Sequence, residues 1–186
     1  MTVVRLALDA ALKTAGPLEL AAGTVTLIRT GAAGLARIEA ALAAGPDMEI
    51  VPDGQAPVTA VFDRECSFLG SSAARPRTGL WARLFGGGGD ADAADAARAF
   101  GLAVKLTGRR SAGEERLAAL MAVLGRKAAC AVLVNPDDNL DVMVRRSFLE
   151  KLAPFAVQRR MAVLVVSTDD TLAAVLKPGR VIELAD

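Results

Sequence analysis

Apolar positions along the chain fall into two spacings, and their succession predicts strands interleaved with helices. Residues 2–8 and 17–20 are short β-prone stretches with a hairpin-like relation. Residues 23–28, Gly-Thr-Val-Thr-Leu-Ile, form a clearer strand behind a turn glycine. A small-residue segment over 31–39 leads into an Ala-rich helix at 40–44, and 58–62 is another strand, ending at Asp63. Residues 90–100 predict a helix with Asp90, Asp92 and Asp95 in its amino-terminal half, where carboxylates suit the helix dipole. Residues 128–134 and 161–166 are continuous apolar runs, as in strands covered on both faces. Between them lies a helix over 144–157, bent or broken near Pro154. A short helix at 171–176 and a strand at 180–184 complete the pattern. Strands alternating with helices indicate an α/β domain built on a mostly parallel sheet.

The most informative stretch is 109–141. Ser111 caps a helix and Glu114 stands three residues on, the capping-box spacing. Leu117, Leu120, Met121 and Leu124 then recur at helical period. Pro136 stops the following strand, and 137–141 is a polar loop at its carboxyl end, where open α/β sheets build ligand sites. Asp137 and Asp138 are metal-ligand candidates there, although paired Asp after Pro is ordinary turn chemistry. A second candidate is Gly31, Gly34, Ala36 and Arg37. Strand, glycine segment and helix form the context of a phosphate loop, whose backbone N–H groups cradle an anion. The same residues suit a closely packed small-residue turn, which is the weightier reading.

Composition narrows the chemistry. The 186 residues suit one domain, 1–186, and are 53% hydrophobic. A net charge of +1 gives no overall field for nucleic acid or anionic membrane. With no His and no Tyr, His-based acid–base chemistry, His metal sites and Ser–His triads are excluded. Cys66 and Cys130 show no metal or redox spacing, and Cys130 reads as a core residue. Arg5, Asp9 and Lys13 interrupt the first apolar stretch, which is therefore no signal peptide, and no run reaches the length of a membrane span. A cytosolic protein is expected. Trp81, Leu84 and Phe85 precede a glycine tether at 86–89; they cover core or form a docking patch, the former being commoner. The pairs Arg145/Arg146 and Arg159/Arg160 read as solvated helix edges, or as contacts for an acidic partner.

The order of these elements resembles the ATP-binding cassette (ABC) ATPase domain, a P-loop NTPase fold. In that family a signature loop, Leu-Ser-Gly-Gly-Gln/Glu, opens the helix before the Walker B strand. Ser111-Ala112-Gly113-Glu114 is similar, with Arg110 in place of Leu. Pro136, Asn139, Leu140 and Asp141 match the Pro and the D-loop, while the two Walker B acids fall on Val134 and Asn135. In the phosphate loop Gly31 and Gly34 match, Ala36 replaces the third Gly, Arg37 the Lys, and Ile38 and Glu39 the Ser/Thr pair. Asp63 stands for the Gln that senses the metal, and Thr168 for the switch His between Ser167 and Asp169. No aromatic residue precedes Phe62, so the adenine platform is missing.

The resemblance spans nearly the whole chain. It implies an ABC-ATPase-type sheet flanked by helices, a small amino-terminal antiparallel part, and a shortened helical subdomain over 64–109. It also implies a degenerate Walker A and Walker B, hence a pseudo-ATPase subunit acting through contacts in or beside a transport complex, with no resident metal. ATP would be held weakly, or shared with a partner through Ser111, Ala112, Gly113 and Glu114. The expected partners are a second copy or a competent ABC ATPase, with a membrane transport subunit beyond it, bringing the protein to the inner membrane. Two alternatives stand: an ATP-binding transport subunit with unorthodox ligands, and a scaffold or nucleic-acid-associated module using the arginine pairs. The last ranks lowest.

Overall fold

The computed structural model describes residues 2–44, 47–51, 59–62, 68–70, 89–104, 111–126 and 128–184; for residues 48, 51, 59–62, 68–70 and 89–91 it describes backbone alone. The elements run β1 (Val3–Leu6), α1 (Asp9–Leu12), β2 (Leu18–Ala21), β3 (Val25–Thr30), α2 (Ala32–Ala44), β4 (Met48–Val51), β5 (Thr59–Phe62) and β6 (Phe68–Gly70). There follow α3 (Gly89–Phe100), α4 (Ala112–Gly125), β7 (Cys130–Val134), α5 (Val142–Arg159), β8 (Ala162–Ser167), α6 (Leu172–Leu176) and β9 (Arg180–Leu184).

Six strands form the main sheet in the order β6-β5-β7-β8-β3-β9. All neighbours are parallel except β5 and β6. A separate sheet, β2-β1-β4, is antiparallel throughout. The α/β architecture expected from the alternation is therefore present, including the small antiparallel part.

The apolar runs are continuous because the sheet is covered twice. On one face Val25, Leu27, Ala131, Leu133, Val163 and Val165 pack with buried residues of α3, α4, α5 and α6. On the other, Ile28, Cys130, Val132, Val134, Leu164 and Val166 meet β1, β2, α1 and α2. Successive residues alternate between the two cores, the strand period of two. The helix expected at 90–100 belongs to the first core, where Phe100 stacks on Phe148 with ring centroids 5.3 Å apart. Trp81, Leu84, Phe85, Asp63, Cys66, the signature-like Arg110 and most of the 64–109 and 86–89 segments lie outside the described residues.

Three expectations need correction. The helix placed at 40–44 begins eight residues earlier, at Ala32, so the segment 31–39 is almost wholly helical. Ala is the strongest helix former, and Leu35, Ile38 and Leu42 give the stretch one buried face. Helix α5 is not broken at Pro154 but runs through it to Arg159. Pro154 is exposed while Phe148, Leu149, Leu152 and Phe155 are buried, so the unbonded carbonyl one turn earlier can meet water. Finally, α1, β4 and β6 occur where no element was expected.

Candidate functional site

The carboxyl ends of the parallel strands converge on a polar network. Strand β7 delivers Asn135, buried and left-handed at φ 40°. Asn tolerates that region better than most residues. Its N–H donates to Val166 O at 2.8 Å, and its Oδ1 accepts from Thr168 N at 3.2 Å. The position thus ties the ends of β7 and β8 together.

Helix α4 sends a charge to the same point. Arg116 is 2% exposed. Its Nη2 donates to Asn135 O at 2.5 Å and reaches Val134 O at 3.5 Å. A guanidinium thus meets the backbone at the two positions where the resemblance looks for Walker B acids. The Val134 side chain itself is in the core.

A second guanidinium lies beside it. Arg145, in the first turns of α5, pairs with Asp137 at 2.8 Å and with Asp169 through the same nitrogen. Asp169 also accepts from Thr171 N and Thr171 Oγ1, each at 2.7 Å, and its own N–H donates to Ser167 Oγ at 3.0 Å. The two carboxylates share one cation yet shift in opposite directions. Burial pushes Asp137 above the ordinary carboxylate range, against the pull of Arg145. The Thr171 hydroxyl, foremost, and then the Thr171 N–H and Arg145 hold Asp169 below it. Further along the edge Arg29 makes two bonds to Glu183, at 2.5 and 3.0 Å, and donates to Asp170 O at 3.0 Å.

The signature-like residues are placed by local chemistry. Both halves of the capping box form: Glu114 N donates to Ser111 Oγ at 3.3 Å, and Ser111 N to Glu114 Oε2 at 2.8 Å. A Cβ on Gly113 would stand 2.8 Å from Asn139 O, so the start of α4 touches the D-loop-like residues directly. Asp141 caps α5 through Met143 N at 2.9 Å. Beyond it Val142 and Met143 are 76% and 73% exposed.

The glycine segment is arranged differently from a loop. Gly31 is the one residue between β3 and α2. Gly34, Ala36 and Arg37 lie on α2. A Cβ on Gly34 would fall 1.9 Å from Thr30 Oγ1, so helix and strand tip are in contact there. Ser111–Glu114 and Asn139–Asp141 therefore come together beside β7, whereas Gly31–Arg37 follow β3, on the far side of β8.

Sequence reasoning missed Arg116 and misread Arg145 as a solvated edge. A signal existed for Arg116: it is in helical register with the buried Leu120 and Leu124. The other arginines are as expected for surfaces, Arg146 paired with Glu150 at 2.8 Å and Arg159 lying over the Phe155 ring. Among the described residues no group of three or more His, Cys, Asp or Glu is placed to hold a metal ion. Among them, too, no helix is long and apolar enough to cross a membrane.

No family model matches the chain, and no curated protein matches its sequence. Solved structures do match. An ABC transporter ATP-binding protein from Pyrococcus furiosus superposes with a TM-score of 0.64 at 15% identity, covering 98% of this chain and 97% of its own. A dimeric bacterial ABC transporter cassette gives 0.66 at 14%, over 100% and 94%. This chain has the ABC-ATPase fold. A metal-chelate type ABC transporter in an inward-facing conformation gives 0.65 at 12%, over 98% of this chain and 79% of that one. Identities this low speak for the ABC-ATPase architecture and leave function to be argued from the site.

Proposed function

We propose that the chain is a non-hydrolysing subunit of ABC-ATPase fold that works through protein contacts, in or beside a transport complex. The observation that carries this reading is the pair of guanidinium groups at the carboxyl end of the sheet. Phosphoryl transfer needs carboxylate or hydroxyl ligands for Mg²⁺, a cradle for the phosphates and a group that orients water. Here Arg116 and Arg145 bring positive charge to the place where the metal ligands would stand. A connection of one residue between β3 and α2, with Gly34 against Thr30, gives no loop to wrap phosphates. These residues do not fit a bound Mg²⁺–nucleotide.

The retained features lie on the surface. Ser111–Glu114 keep a capped helix start, adjoining Asn139–Asp141 and the apolar pair Val142 and Met143. Such a face suits a second copy of the chain or a competent ABC ATPase, to whose nucleotide Ala112 and Gly113 would donate N–H groups, the Ser111 N–H being held by Glu114. The dimeric cassette of the same fold is consistent with that use. Attachment to a membrane would then come through the partner's transport subunit.

Titration calorimetry with Mg-ATP, followed by a phosphate-release assay, tests the reading. No heat of binding at millimolar nucleotide and no release are expected. Binding with turnover would overturn it in favour of an ATPase with unorthodox ligands. With a competent partner ATPase the chain is expected to raise turnover, and Ser111→Arg to remove the gain.

A further inference from the structure

We infer that Arg145 is a resident cation: its guanidinium takes the place of a divalent metal ion between Asp137 and Asp169, making this end of the sheet independent of metal. The two carboxylates come from the loops after β7 and β8, which are neighbouring parallel strands. One nitrogen, Arg145 Nη2, is bonded to Asp137 Oδ2 and to Asp169 Oδ2, so it sits where both anions point. Asp137 is 8% exposed, and a carboxylate that far from water needs a close counter-charge.

The Asp169 carboxylate is aimed without help from Arg145. Thr171 N and Oγ1 both donate to Asp169 Oδ1, which leaves Oδ2 turned to the cation. The backbone of Asp137 is fixed within the turn, whose Asp138 N donates to Asn135 O at 3.2 Å and Leu140 N to Asp137 O at 3.3 Å. The other guanidinium groups nearby are engaged elsewhere, Arg116 with Asn135 O and Arg29 with Glu183 and Asp170 O, while the exposed Asp138 adds a further negative charge beside Asp137. Without the guanidinium, two oriented carboxylates would share one point. Small hard divalent cations bind to one or two carboxylates and complete their shell with water. Arg145 blocks that site by filling it.

The test uses the full chain without nucleotide, so its result is independent of whether the protein hydrolyses ATP. Free Mn²⁺ is followed by electron paramagnetic resonance while each protein is titrated at neutral pH. Arg145→Ala and Arg145→Met are expected to bind Mn²⁺ about tenfold or more tightly than the parent. Arg145→Lys, which keeps a cation, is expected to show no gain, and Asp169→Asn added to Arg145→Ala should remove it. Mn²⁺ should raise the melting temperature of Arg145→Ala and leave that of the parent unchanged. If Arg145→Ala fails to fold alone, folding on addition of Mn²⁺ supports the inference. Failure to fold with or without Mn²⁺ overturns it, as do folded variants that bind no better than the parent, or a parent that binds equally well.

Discussion

Arg116 and Arg145 differ in what their loss would expose. Arg116 donates from a buried position to backbone carbonyls, so truncation removes charge-assisted bonds and leaves its buried space unfilled at the end of β7. Arg116→Ala should therefore lower the unfolding free energy by about 2–3 kcal/mol, measured by urea denaturation. The Asp137–Asp169 pair gives a pH signature with two signs. Asp169 is held low, mainly by the Thr171 hydroxyl, so its stabilisation is present above the ordinary carboxylate pKa and lost as pH falls through the lowered value. Asp137 is raised by burial, so its contribution is present below the ordinary value and lost as pH rises through the raised one. In urea midpoints measured from about pH 3 to about pH 7, Asp169→Asn should flatten the acid decline, and Asp137→Asn should flatten the fall on the alkaline side. At Cys130 burial pushes the thiol up to about 12, which disfavours a reactive thiolate there. The Ser111–Glu114 capping box was legible in the chain because its partners are three residues apart. The two arginines were not, because Asn135 is 19 residues from Arg116 and Asp169 is 24 from Arg145, and only the sheet brings these together.

At the scale of elements, glycine spacing misled while apolar spacing did not. Gly31 and Gly34 look like a phosphate loop in sequence, yet Gly34 is a contact residue of a helix that starts at Ala32. Gly34→Ala puts a methyl 1.9 Å from Thr30 Oγ1, and should cost about 1–3 kcal/mol of stability in thermal or urea unfolding. An anion-binding loop would have no such contact to break. Pro154 gives the opposite case. It is exposed inside α5, so Pro154→Ala restores a backbone donor without disturbing the core, and should stabilise by about 1–3 kcal/mol. The strands β7 and β8 were readable because both-sided burial leaves continuous apolar runs. Strand β4 was not, since Met48–Val51 is short and its pairing with β1 spans more than 40 residues.

At the scale of the whole molecule, the sheet order puts β8 between β3 and β7, which separates the glycine segment from the signature-like face. No local pattern encodes that order; it follows from which strands can be covered on both sides. One consequence is that the exposed Val142–Met143 face and the sheet end can be altered independently. Val142 and Met143 stand clear of both cores, so replacing them leaves packing intact. Val142→Asp with Met143→Asp should change the unfolding free energy by no more than about 0.5 kcal/mol. If the face is a protein contact, the same double variant should weaken self-association or partner binding by about tenfold or more, since exposed apolar anchors carry much of such affinity. Sedimentation velocity over a concentration series separates the two effects. Unchanged association in a folded double variant would mean that the contact subunit binds through some other face.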